Sequence, residues 1–185
     1  MEPHYFIGIP VNEDLKEETL TWQRKLQAEE RYKRVTHAED LHLTLLFFGG
    51  FPEIRAKNIW EQIKSAPLPL PFELSFRRLN HFGNANQPRV VYFEPDHSDE
   101  LIKLKRIIDQ EAVKEKFPVS SKVFTPHVTM MKKWQDRETT LPEVYLSPQK
   151  LASPIVVLAD RICLYRIHPD QKPSYEIVDD IRESR

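Results

Sequence analysis

Apolar runs with the alternation of strands and segments with helical period follow one another along this chain. Tyr5 to Val11 reads as a strand, after which Asn12 offers an N-cap and Glu13 and Asp14 suit the positive end of a helix. Leu15, Thr19, Trp22 and Leu26 then recur at helical spacing, so this helix is expected to pack through Trp22 and Leu26. The basic cluster Arg31, Lys33 and Arg34 is expected in a solvated turn, although charges close to a strand end could also face a phosphate. The polar lead-in His37 to Asp40 precedes a strand running from His42 through Phe48, which Gly49-Gly50 ends. Ala56, Ile59, Trp60 and Ile63 mark a second helix, and the alternating prolines Pro67, Pro69 and Pro71 stop it and form the candidate crossover between two lobes.

Beyond Pro71, Phe72, Leu74 and Phe76 share one face of a strand and Glu73, Ser75 and Arg77 the other. His81 to Gln87 reads as a turn, Arg89 to Glu94 as a strand and Asp96 to Ser98 as a capping region. Leu101, Leu104, Ile108 and Ala112 keep helical spacing until Pro118 stops that helix. Phe124-Thr125-Pro126 leads into a strand whose last residues include Lys132-Lys133. Gln135 to Ser153, polar and dotted with proline, is expected to be a long loop or flap, with Ile155 to Tyr165 and Tyr175 to Val178 as closing strands.

Within this order one pattern occurs twice. His42-Leu43-Thr44-Leu45 and His127-Val128-Thr129-Met130 both read histidine, apolar, threonine, apolar, 85 positions apart. Random placement of the chain's His and Thr residues gives roughly 0.3 His-x-Thr pairs, so a single copy carries little weight. The context is repeated as well. A similar distance before each copy stands a matching strand, Tyr5 to Ile9 or Val90 to Glu94, with one helix-patterned segment in between. The chain therefore reads as a degenerate duplication of strand, helix, strand. Because successive strand side chains point to opposite faces, each imidazole shares a face with its threonine hydroxyl while the apolar residues turn to the core.

Composition narrows the setting. At 185 residues the chain can bury a core without staples, and residues 1–185 are expected to form a single two-lobed domain. A net charge of −1 excludes a global field for nonspecific nucleic-acid binding, but leaves local binding open. Cys163, the only cysteine, lies in an apolar run and is expected to be a small buried hydrophobe. The N-terminus has no signal-peptide pattern and no apolar run is as long as a membrane span, so a cytoplasmic location is expected.

Two imidazoles facing one cleft permit a particular chemistry. One neutral and one protonated ring can take a proton from an attacking oxygen and give one to a departing oxygen in a single in-line displacement. Thr44, Thr129 and Lys132 would hold the non-bridging oxygens of a phosphate as charge builds there. The substrate this suggests is a phosphodiester with an internal leaving group, and no metal is required. His-x-His, His-Glu-x-x-His and a cysteine cluster are all absent near the motifs, as is Gly-x-Ser-x-Gly. His4, His37, His81, His97 and His168 stand in turn-like or terminal contexts and are expected at the surface. Phe48, Phe124 and Tyr165, which could stack on a base, are expected in the core.

With both motifs in view, the chain resembles the two-histidine (2H) phosphoesterase superfamily, and within it the bacterial RNA 2′,3′-cyclic phosphodiesterases of the LigT/ThpR type, formerly called 2′-5′ RNA ligases. The likeness rests on Phe6 to Pro10, Leu41 to Gly49, Phe82 with Pro88 to Tyr92, Phe124 to Met130, and the closing strands at Ile162 to Tyr165 and Tyr175. It implies an α+β fold, two-lobed by pseudo-twofold duplication, with antiparallel sheets flanked by helices and a cleft between the lobes. It also implies hydrolysis of an RNA 2′,3′-cyclic phosphate to a 2′-phosphate without a cofactor. His42 would be proton donor to the leaving 3′ oxygen, His127 proton acceptor from water, and Thr44 and Thr129 phosphate ligands. Where the family usually has arginine this chain has Lys132, which brings charge but no planar fork. The expected partners are RNA ends or nucleotide cyclic phosphates, with no membrane, for a monomeric protein. The alternatives are another small diester, such as ADP-ribose cyclic phosphate or a 2′-5′ oligonucleotide, and a nucleotide or RNA-end binding module without turnover.

Overall fold

A computed structural model describes residues 3–136, 138–141 and 150–182. In chain order these form β1 (Tyr5–Pro10), α1 (Glu13–Lys25), α2 (Ala28–Arg31), β2 (Tyr32–Val35), β3 (His42–Phe47), α3 (Glu53–Lys64), β4 (Phe72–Phe82), β5 (Val90–Pro95), α4 (Asp99–Lys114), β6 (Val128–Trp134), β7 (Lys150–Ala159), β8 (Arg161–Ile167) and β9 (Tyr175–Arg182). The fold is α+β, with one antiparallel nine-stranded sheet in the order β7-β4-β5-β6-β3-β1-β8-β9 and β2 added to β6.

The sheet is continuous, yet β3 and β6 pair at only one position, Leu43 opposite Val128. Outward from that seam the two halves match strand for strand, β3-β1-β8-β9 on one side and β6-β5-β4-β7 on the other. The match extends to single residues. Ile9 pairs with Leu43 and Gly8 with Thr44, just as Phe93 pairs with Val128 and Tyr92 with Thr129. In both halves a bulge follows at once, with Leu45 or Met130 as the extra residue. The duplication read from the motifs is thus a pseudo-twofold of the sheet, and its axis passes through the seam.

The helices cross that axis. α1, which connects β1 to β3, lies against β6 and β7 of the opposite half, and α4, which connects β5 to β6, lies against β3. Asn12 caps α1, its side chain accepting from the Leu15 N–H, while its Nδ2 donates to the Val156 carbonyl of β7 at 2.9 Å. Gln23 of α1 is buried, and its Nε2 donates to the Met130 carbonyl at 2.9 Å and the Thr36 carbonyl at 3.0 Å. The Met130 carbonyl also accepts the Thr36 N–H at 2.9 Å, so the bulge of β6 is tied to both α1 and the end of β2. α3 packs against α4, and Trp60 Nε1 ties it to Asp179 of β9 at 2.9 Å. Between helices and sheet, Leu43, Leu45, Val128, Met130, Leu15, Ile59, Leu104 and Ile108 are all buried in one apolar cluster. Among the described residues no helix is long and apolar enough to cross a membrane.

Several local expectations are corrected. The basic cluster is not a turn: Arg31 ends α2, while Lys33 and Arg34 lie on β2, an added strand held by β6. Its four residues, Tyr-Lys-Arg-Val, have too short an apolar pattern to announce a strand, and the pairing partner lies about a hundred positions away. The closing run from Ile155 to Tyr165 is two strands, with β7 pairing β4 and β8 pairing β1 on opposite sides of the molecule, so the chain changes halves at Asp160. β7 begins at Lys150, inside the expected flap, and edge placement allows it to contain Pro154. Residues 142–149 of that flap lie outside the described residues. Cys163 is fully buried, and burial pushes its thiol up to about 11.

Leu43→Ala is expected to cost about 2–5 kcal/mol of unfolding free energy. Because α1 and α4 join the halves, urea unfolding followed by tryptophan fluorescence should still give one transition at lower midpoint.

Candidate active site

Alternation on β3 and β6 places the motif residues as the sequence suggests. Leu43, Leu45, Val128 and Met130 are buried, and His42, Thr44, His127 and Thr129 are half-buried on the other face. Paired residues of adjacent strands project to the same face, so extending the seam register by one residue each way sets His42 opposite Thr129 and Thr44 opposite His127. The four side chains therefore lie on one face at the seam, with the imidazoles on adjacent strands and diagonal to one another.

Each ring is oriented in the same way. His42 Nδ1 donates to the Asp40 carbonyl at 2.7 Å, and His127 Nδ1 donates to the Thr125 carbonyl at 2.7 Å, in both cases the residue two positions upstream. A carbonyl only accepts, so the bond requires the proton on Nδ1 and leaves Nε2 as the basic nitrogen of the neutral ring. His42 Nε2 lies 2.9 Å from Thr44 Oγ1. Asp40 is itself buried, and its carboxylate accepts the Ser174 and Tyr175 N–H groups at 2.8 and 2.9 Å, which clamps the start of β9 beside His42.

Aromatic side chains wall both rings, from positions that are not all equivalent. Phe6 of β1 lies 4.4 Å from the His42 ring, centroid to centroid, and stacks on Tyr165, while Tyr175 meets His42 edge-on at 5.3 Å. Across the seam Tyr92 of β5 and Phe82 of β4 each stand 5.2 Å from His127. Gly8 sits where the opposite half has Tyr92. A Cβ there would come within 2.9 Å of the Leu43 carbonyl and 3.2 Å of His42 Cδ2, so a side chain would push the β3 backbone away and press on the His42 ring. Beyond the bulges the symmetry fails, because Lys132 corresponds to Phe47, which is 54% exposed.

Electrostatics favour uncharged rings. Burial is the main cause that pushes His42 down to about 4, and the positive charges of Lys132 and His127 push the same way against the Asp40 carbonyl. His127 is also lowered, first by burial and then by Lys132. Lys132 is lowered by its own burial, then by Arg34 and Lys133. An anion bound here would oppose all these charge effects, raising the imidazoles and relieving the lysine.

His42, Thr44, His127, Thr129 and Lys132 thus come together. The remaining histidines divide: His37 and His97 are exposed as expected, whereas His4, His81 and His168 are half-buried, and His168 pairs with Glu176 at 2.7 Å. Phe48 and Tyr165 are buried as expected, but Tyr165 also backs His42. Phe124 is half-buried beneath Lys105. Asp40, Gln23, Gly8 and the aromatic walls had no role assigned from sequence. Only Gly8 carried a usable signal, since a glycine inside a strand often marks close backbone approach.

The family model described as the 2′-5′ RNA ligase superfamily matches residues 13–171. The RNA 2′,3′-cyclic phosphodiesterase of Bacillus subtilis is 27% identical over 177 residues, spanning 95% of this chain and 94% of that protein. The RNA 2′,3′-cyclic phosphodiesterase of Geobacillus stearothermophilus is 27% identical across 95% of this chain, which spans 55% of that protein. In fold, the structure is similar to E. coli LigT complexed with 3′-AMP, with a TM-score of 0.80, 20% identity and full coverage of both chains.

An NMR titration of the imidazoles should place His42 near pH 4 and His127 below 6.5. Adding inorganic phosphate, or substituting Lys132→Gln, should move both upward because each opposes or removes a positive charge. Gly8→Ala should displace the His42 ring, seen as loss of its depressed titration, and lower the melting temperature.

Proposed function

Because the chain belongs to the 2′-5′ RNA ligase superfamily, we propose that it hydrolyses 2′,3′-cyclic phosphates at RNA ends to 2′-phosphates through the two imidazoles. Water attacks phosphorus as the P–O3′ bond breaks; His127 Nε2 takes the water proton and His42 Nε2–H gives its proton to the departing 3′ oxygen. Thr44, Thr129 and Lys132 bind the non-bridging oxygens, where negative charge accumulates in the transition state. The observation that supports this reading best is the mirrored pair of rings, each with Nδ1 tied to a carbonyl so that Nε2 is the basic nitrogen, in His42 beside Thr44 Oγ1.

The two rings are not equivalent in the ligand-free site. His42 is held down to about 4, so its donor role depends on the bound phosphate restoring its proton affinity. A bound anion thereby favours the protonated His42 that the donor role requires. The donor set of histidine, threonine and lysine supports chemistry that needs no metal, and among the described residues no three His, Cys, Asp or Glu side chains gather to hold one.

Purified protein with EDTA is expected to convert a nucleoside 2′,3′-cyclic phosphate to the 2′-monophosphate, and absence of turnover on both this and an RNA-terminal cyclic phosphate would overturn the proposal. His42→Ala and His127→Ala should each lower kcat about 10²–10⁴-fold. A diester with a nitrophenolate leaving group, which needs no proton, should rescue His42→Ala and not His127→Ala; the reverse result would exchange the two roles. The kcat/KM profile should be a bell centred below pH 6.5, since both rings are depressed in the free protein, and the kcat profile should lie at higher pH. Ligand binding unaffected by either histidine substitution, without turnover, would mark a binding module instead.

A further inference from the structure

The basic cluster of the sequence is divided by the fold, and one member reaches the site. β5 occupies one edge of β6; on the other edge β3 pairs at Val128 and β2 takes over at Met131, Lys132 and Trp134. The flank that carries the histidines therefore continues into β2. There Arg34 stands directly opposite Lys132. Like charges opposite each other on neighbouring strands are destabilising. Among the described residues neither Arg34, Lys132 nor Lys133 has a carboxylate partner, whereas Arg77, Arg78 and Arg161 elsewhere on the sheet are paired with Asp96, Glu94 and Asp180. Lys133 also holds a left-handed backbone, φ 66°, which a side-chain-bearing residue seldom adopts. Three cations without a carboxylate partner, one of them on a strained backbone and all close to the histidine pair, form a place for an anion.

Burial separates the members. Lys132 is half-buried, and its charge acts on both imidazoles, so it serves the reacting phosphate. Arg34 is exposed, one strand further out, and its charge reaches Tyr175 at the rim of the His42 wall. One phosphate seated between the rings leaves Arg34 uncompensated. A polynucleotide brings a second phosphate at a regular spacing, and a guanidinium presents the fork that suits phosphate oxygens. We propose that Arg34 binds the phosphodiester on the 5′ side of the reacting phosphate, so that the preferred substrate is an RNA chain end and not a free cyclic mononucleotide. This rests on the hydrolytic reading above and specifies its substrate class.

The test compares kcat/KM for a nucleoside 2′,3′-cyclic phosphate with that for a dinucleotide carrying the same cyclic end and one internal phosphodiester. The wild-type protein should prefer the dinucleotide about tenfold or more, mainly through KM. Arg34→Gln should abolish most of that ratio, while Arg77→Gln, which breaks a pair on β4, should preserve it. The log–log salt dependence of kcat/KM should be steeper for the dinucleotide by about 0.7 in the wild type, and this excess should vanish in Arg34→Gln. A wild-type ratio near one, or an Arg34→Gln variant that keeps the ratio or loses equally on both substrates, overturns the role given to Arg34 and leaves hydrolysis standing. Turnover of neither substrate by the wild type removes the hydrolytic reading and this inference with it.

Discussion

The register of one antiparallel pair, Leu43 with Val128, governs the geometry of the site. Strand side chains alternate with a period of two, so a slip by one residue would turn the apolar residues outward and bury both imidazoles. A single pair has little backbone hydrogen bonding to resist that slip. Resistance comes from beneath the sheet, where α1 rests on β6 and β7 of the far half and α4 on β3. Each helix packs on a strand of the half to which its own connection does not belong, and Gln23 anchors the bulge at Met130 from below. Helix exchange does what continuous strand pairing does elsewhere in the sheet.

Above that seam the polar face is left electrostatically incomplete. Two half-buried rings, a half-buried lysine and an exposed arginine share one flank, and no carboxylate among the described residues pairs with its cations. Arg77, Arg78, Arg161 and Arg182 on other strands are each paired with a carboxylate, so the imbalance here is a cost borne by the folded state. It also means that an incoming anion gains from every group at once, because the same charge that stabilises the lysine restores protons to the imidazoles.

The parts of this arrangement that depend on local pattern were legible before any coordinates. Alternation placed His42 and Thr44 on one face, capping placed Asn12, and helical spacing placed Leu15, Trp22, Leu104 and Ile108 in the core. What escaped is non-local. The pairing of β2 with β6, the passage from β7 to β8 across the molecule, and the crossing of α1 and α4 join positions far apart in the chain, and short-range periodicity holds no record of them. Asp40 illustrates the limit. As a polar residue before a strand it is unremarkable, yet its carbonyl orients a ring and its carboxylate closes β9 against the same ring.

The mismatch of Lys132 and Phe47 bears on how anything can lie in the cleft. A perfect twofold would accept a bound diester in two opposed directions with equal ease, and in one of them the departing oxygen would face the wrong imidazole. A cation at one end and an aromatic surface at the other abolish that degeneracy, since only one end attracts a second negative charge. Divergence of the two copies here, as at Gly8 and Tyr92, leaves a frame of twofold outline with unlike ends, which the proposed diester would meet in one direction only.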